Sequence, residues 1–178
     1  MGRELSDSRQ WYAVRTKFRA EKLAKRLLEQ KSLEVYLPLR AYSRQYSRKV
    51  KHYQVPLLSC FIFVRMSRMD YIQVIETPYV HGLVKIGSEI MPVKEDEINI
   101  LRRIEGSDLE VSMTEEHLDV GLEVYINQGT LFGLRGRITS IHSKEKLVVS
   151  MESMPFALLI EVERKTVTVM TTDKKLVA

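Results

Sequence analysis

Arg40, Tyr42, Arg44, Tyr46 and Arg48 recur at every second position, and Lys49, Lys51, His52 and Tyr53 continue the theme. In an extended strand, residues two apart share a face, so the first five would present alternating guanidinium and phenol groups on one surface. A guanidinium grips phosphate through paired N–H donors, and a tyrosine ring offers a stacking surface to an unpaired base. This is chemistry for binding nucleic acid. The same residues also suit an exposed hairpin whose charges block edge-to-edge association. Both readings stand for 44–51. Lys17, Lys22, Lys25 and Arg26 form a second basic group that is open to the same two readings, the polar face of a helix or its neighbour.

Other side chains capable of chemistry are too scattered to perform it. His52, His81, His117 and His142 are far apart in sequence, and none has metal-ligand spacing to another His or to Cys60. No nucleophile elbow, phosphate loop or dinucleotide fingerprint occurs. Cys60 lies among apolar residues and reads as a small buried hydrophobe. The acidic run Glu95-Asp96-Glu97 has a structural reason, given below. The expectation is a protein with no catalytic residues, no metal and no cofactor.

Charge is unevenly placed. The 178 residues carry 28 Lys and Arg against 23 Asp and Glu, a net +5. Up to Arg65 there are 15 basic residues and five acids, so the first third carries about +10 and the remainder about −5. A polyanion-facing end accounts for such an excess. An apolar share of 44% suffices for a packed core. No apolar run is long enough to span a bilayer, no charged-then-apolar leader opens the chain, and the lone cysteine fits a reducing compartment. A cytoplasmic location is expected.

The elements that must position the basic residues follow from periodicity. Trp11 to Thr16 reads as a strand, and Arg19 to Lys31 as a helix burying Ala20, Leu23, Ala24, Leu27 and Leu28. Cys60 to Val64 reads as a second strong strand. Alternation puts Leu58, Cys60, Ile62 and Val64 on one side of this run and Leu57, Ser59, Phe61 and Phe63 on the other. Either the strand is buried on both faces, or one face is an apolar patch for a protein partner. Ser67 offers an N-cap for a short helix through Ile75. His81 to Ile86 and Glu89 to Val93 read as a hairpin around Gly87-Ser88. From Lys94 to Glu105 acids come first, Arg102 and Arg103 come late, and Gly106 closes, an order that suits the helix dipole.

Between Ser107 and Asp119 periodicity fails and acids dominate, which reads as a linker. Short strands follow near 121–126, 136–142, 146–151 and 157–164, and Val167 and Val169 can add another. Gly129, Gly133 and Gly136 punctuate a turn between two of these strands, with Leu131, Phe132 and Leu134 expected to plug the mouth of a small barrel. The fold class is α+β: an antiparallel sheet flanked by helices over 1–106, a linker over 107–119, and a β-barrel with a C-terminal tail over 120–178.

The glycine turn resembles the KOW motif. Together with the Trp11-Tyr12-Ala13-Val14 opening, the Pro56 to Val64 segment, Thr77 to Gly82, Met91-Pro92-Val93 and the closing Ile160-Glu161-Val162, it makes the chain similar to the NusG family of transcription factors from Trp11 to about Lys165. The resemblance implies a NusG N-terminal domain followed by a SH3-like KOW barrel. It also implies a monomer that binds the clamp helices of the largest RNA polymerase subunit. The matching positions are Leu58, Phe61 and Phe63, with Arg15 and Val84 at the edge. The basic residues would meet the displaced non-template DNA strand. The barrel would recruit a ribosomal protein, a termination factor or RNA, and no membrane is involved. Ser59-Cys60 stands where relatives carry Pro-Gly, and Met154-Pro155 where many housekeeping members carry Phe-Gly. These departures place the chain nearest the specialised antiterminator branch, which acts on particular operons such as those for surface polysaccharides. A housekeeping elongation factor and a KOW RNA-binding protein of translation are the alternatives.

Overall fold

The computed structural model of the chain describes residues 5–47, 49–107, 109–114, 121–141 and 144–170, leaving aside the side chains at 44, 46, 140, 141 and 144. Two compact units emerge: Met1–Gly106 with Met151–Pro155, and Ser107–Ser150 with Phe156–Ala178.

The first unit runs β1 (Gln10–Thr16), α1 (Glu21–Gln30), β2 (Glu34–Tyr36), β3 (Leu39–Tyr46), β4 (Lys49–Pro56), β5 (Phe61–Met66), α2 (Tyr71–Ile75), β6 (Val80–Leu83) and α3 (Glu95–Glu105). Its main sheet is antiparallel in the order β2-β5-β1-β6, and β3-β4 form a separate two-stranded sheet. Tyr12 and Val14 of β1 and Ile62, Val64 and Met66 of β5 pack on Ala24 and Leu28 of α1 and Val74 of α2. The opposite face is tied to α3 at both ends. Trp11 Nε1 donates to Glu95 Oε2 at 3.0 Å, and the Tyr36 hydroxyl donates to Glu105 Oε2 at 2.9 Å. Ile98, Leu101 and Ile104 of α3 are fully or almost fully buried.

Phe61, Ile62, Phe63 and Val64 are all buried, as is Leu58, and β5 lies between β2 and β1 in the sheet. Of the two readings of this run, the strand buried on both faces describes these positions.

Three buried acids in this unit serve the backbone, which replaces lost water with N–H donors. Glu21 Oε1 accepts from the N–H groups of Arg19 (3.3 Å) and Cys60 (2.8 Å). Asp70 Oδ2 accepts from Ser67 N–H at 2.9 Å, completing a capping box, and the Ser67 N-cap falls where the sequence places it. Glu97 Oε2 accepts from Lys94 N–H at 3.1 Å, which explains the acidic start of α3. Cys60 departs from expectation. It is half-buried at a turn with φ of 67°, a left-handed conformation that favours glycine. Burial and the nearby Glu21 carboxylate push its thiol up from the ordinary value.

Two further expectations change. Val93 bridges to Trp11, so the foreseen hairpin around Gly87 reduces to one bridge, Ile86 with Glu89. In the second unit Val111–Thr114 forms β7, paired antiparallel with β11 (Ala157–Glu161), although the sequence there reads as linker. Between them lie β8 (Leu122–Ile126), β9 (Arg135–Ile141) and β10 (Lys144–Ser150), and β12 (Val167–Val169) follows. All six pair antiparallel in the order β12-β8-β9-β10-β11-β7. Gly129 and Gly133 have φ of 81° and 78°. Gly136 lies so close to β10 that a Cβ would meet the Val148 carbonyl oxygen at 2.4 Å. Leu131 and Leu134 are buried, but Phe132 is 64% exposed and so departs from the expected plug.

Candidate nucleic-acid interface

The β3–β4 hairpin collects the basic and aromatic residues. Its register is uninterrupted from Leu39↔Pro56 to Tyr46↔Lys49. Every described side chain from Arg40 to Gln54 is exposed, and no Asp or Glu occurs between Glu34 and Asp70. A segment rich in cations, lacking acids and carrying aromatic rings has no internal core to satisfy. Its described side chains face outward on a surface that suits an external polyanion.

Pairing decides what shares a face. Arg40 lies opposite Val55, Tyr42 opposite Tyr53, Arg44 opposite Lys51 and Tyr46 opposite Lys49, all on alternate rungs of one side. The intervening rungs are Ala41 with Gln54, Ser43 with His52 and Gln45 with Val50, none of them carrying Lys, Arg, Asp or Glu. Ser43 Oγ and His52 Nδ1 share a hydrogen bond of 2.8 Å. The alternation seen in the sequence from Arg40 to Tyr46 is thus matched by a facing basic and aromatic row on β4. Tyr53, already part of the theme in the sequence, belongs to that row, and its place opposite Tyr42 follows once the position of the turn fixes the register. Arg48 and the side chains of Arg44 and Tyr46 lie outside the described residues.

The hairpin is anchored at its base. Leu57 N–H donates to the Pro38 carbonyl at 2.8 Å, and Leu39 N–H donates to Glu105 Oε1 at 3.1 Å. Lys22 Nζ on α1 donates to the Gln54 carbonyl at 2.6 Å. Lys22 therefore brings the helical basic group to the foot of the hairpin. Lys25 is more committed, because its Nζ donates to Glu29 Oε1 (2.8 Å) and to the Val35 carbonyl (2.9 Å). Lys17 and Arg26 are exposed. Among the residues expected at a protein interface, Val84 is buried and Arg15 is exposed, its guanidinium 5.5 Å from the Phe61 ring centre. Below them, burial and the Glu105 carboxylate hold the Tyr36 phenol far above its ordinary range.

Among the described residues no group of three or more His, Cys, Asp or Glu could hold a metal ion. No described helix is long and apolar enough to cross a membrane.

Comparison with known proteins bears on the family and the fold. The family model described as "Transcription termination factor nusG" matches residues 9–102. A solved structure described as "Domain interaction in Thermotoga maritima NusG" is 23% identical, covers 92% of this chain and 98% of its own, and has a TM-score of 0.59, so the fold is shared. Two conformations of the "MjSpt4:Spt5 complex" are each 20% identical over 90% of this chain, with TM-scores of 0.32 and 0.34, and add nothing to that conclusion. No curated protein matches. Since the family model spans more than half of its length, the chain belongs to the NusG family of transcription factors.

Proposed function

We propose that this protein is an elongation and antitermination factor that binds RNA polymerase through its first unit and the displaced non-template DNA strand through the β3–β4 hairpin and the foot of α1. The observation that carries the DNA contact is the exposed, acid-free hairpin with Arg40, Tyr42, Tyr53, Lys49 and Lys51 on one face. Lys22 meets the foot of the hairpin at the Gln54 carbonyl, while Lys17 and Arg26 add exposed charge nearby in the sequence. Tethering the strand and the polymerase clamp together disfavours pausing by occupancy alone, with no turnover. Leu58, Phe61, Phe63 and Val84 are buried, so polymerase engages them only if their packing opens. Arg15 is the member of that group presented without rearrangement.

Restriction to particular operons belongs to the same proposal, and so does a ribosomal protein, termination factor or RNA as partner of the KOW unit. Purified transcription decides the first. The protein is expected to lengthen transcripts on its own operon's leader and do little on an unrelated template. Equal effects on both would identify a housekeeping factor, and co-purification of ribosomal subunits without polymerase would move the protein to translation.

A further inference from the structure

We infer that the Tyr42–Tyr53 rung is a base-stacking platform that makes the hairpin select unpaired strand over duplex. This rests on the reading of the hairpin as a nucleic-acid surface. The two tyrosines are direct cross-strand partners, 49% and 39% exposed. Opposed side chains in an antiparallel pair stand with Cβ atoms about 4.5–5.5 Å apart. Two phenol rings at that spacing make one apolar surface broad enough for a base to lie on. Arg40 precedes the rung and Lys51 follows it on the same face, each about 7 Å along its strand. A base stacked on the rings therefore has a cation within reach of the phosphate on either side.

The other face lacks this combination. Ala41, Gln54, Gln45, Val50 and the Ser43–His52 pair supply neither a Lys or Arg side chain nor an aromatic rung. The platform is thus one-sided, and a strand bound to it has a defined face of contact. In a duplex the base faces are occupied by their neighbours, so the rings gain nothing and only the phosphates are read. Single-stranded DNA and RNA share the chemistry that the rung accepts.

Fluorescence anisotropy of the full chain with four labelled ligands tests this: oligodeoxythymidine, the same strand with abasic sugars, its duplex with oligodeoxyadenosine, and oligouridine. The base-bearing strands are expected to bind about tenfold or more tightly than the abasic strand, in line with roughly 1–3 kcal/mol per stacked base. Tyr42→Ala with Tyr53→Ala should erase that preference and leave abasic and duplex binding unchanged, which also shows that the cations are still presented. Tyr42→Phe with Tyr53→Phe should retain it. A stronger response to oligouridine than to oligodeoxythymidine would assign the platform to RNA, and the reverse would assign it to DNA. Equal wild-type affinity for based and abasic strands, or a preference that survives the alanine pair, overturns the platform while leaving electrostatic binding intact. If Arg40→Glu with Lys51→Glu binds every ligand as wild type does, the nucleic-acid surface itself is lost.

Discussion

Two antiparallel pairs in the first unit, β1–β5 and β3–β4, run in unbroken register over six and eight residue pairs. In β1–β5 the stretches Trp11–Val14 and Phe61–Val64 are buried on both faces. In β3–β4 no described side chain between Arg40 and Gln54 is buried. Backbone ladders of the same kind therefore do opposite work. The first is held by packing, and within those two stretches no side chain is exposed. The second is held by its ladder, its anchored base and cross-strand pairs worth about 0.2–1 kcal/mol each, and its described side chains stay on the surface. The acids sharpen the contrast. Glu21, Asp70 and Glu97 are drawn inside to serve backbone donors, while the hairpin carries none.

The largest effect is expected in the core pair. Phe63→Ala should cost about 3–5 kcal/mol in denaturant unfolding, and a loss below about 1 kcal/mol would mean that β5 is open on one face. Next comes the hairpin. Arg40→Glu, Lys49→Glu and Lys51→Glu together should leave the melting temperature unchanged but weaken binding to a single strand by on the order of a hundredfold and flatten its salt dependence. A matched fall in melting temperature would show that these charges hold the fold.

Asp70→Asn tests a buried acid. Hydrogen bonding from Ser67 N–H lowers the Asp70 carboxyl below its ordinary value, opposed by partial burial and aided by Arg9. A depressed folded value stabilises fully above about pH 4 and fades as the pH falls through it. The variant should lose about 1 kcal/mol at neutral pH and show a flatter acid limb; identical acid unfolding profiles would remove Asp70 from the account. The smallest effect runs the other way. Cys60→Gly relieves roughly 1–2 kcal/mol of left-handed strain against roughly 0.5–1 of backbone entropy, for a gain of about 0.5–1 kcal/mol in thermal unfolding. A loss would mean that the Cys60 side chain contributes more packing than its half-exposed position suggests.

Much of this contrast was legible before any coordinates. The charge order from Glu95 to Arg103 announces α3, and the alternation from Arg40 to Tyr46 announces an extended two-faced strand, because each pattern has its own period. What stayed hidden depends on partners distant in sequence. Burial of Phe61 and Phe63 depends on the neighbours β5 acquires, since an interior strand and an interface strand have the same composition. Val111–Thr114 looks like linker because its flanks are acidic and becomes a strand only through pairing with β11. That Tyr53 faces Tyr42 emerges only once the turn fixes the register.

The uniform exposure of the hairpin also bears on how such a protein changes over generations. Substitutions between Arg40 and Gln54 fall where no described side chain is packed inside, so most leave folding free energy within about 0.5 kcal/mol of its starting value. Variation there escapes the stability threshold that purges changes in β1 or β5. Recognition can drift from one target to another while the scaffold stands still, and a hairpin transplanted between relatives at the Pro38–Leu57 junction should carry its preference with it.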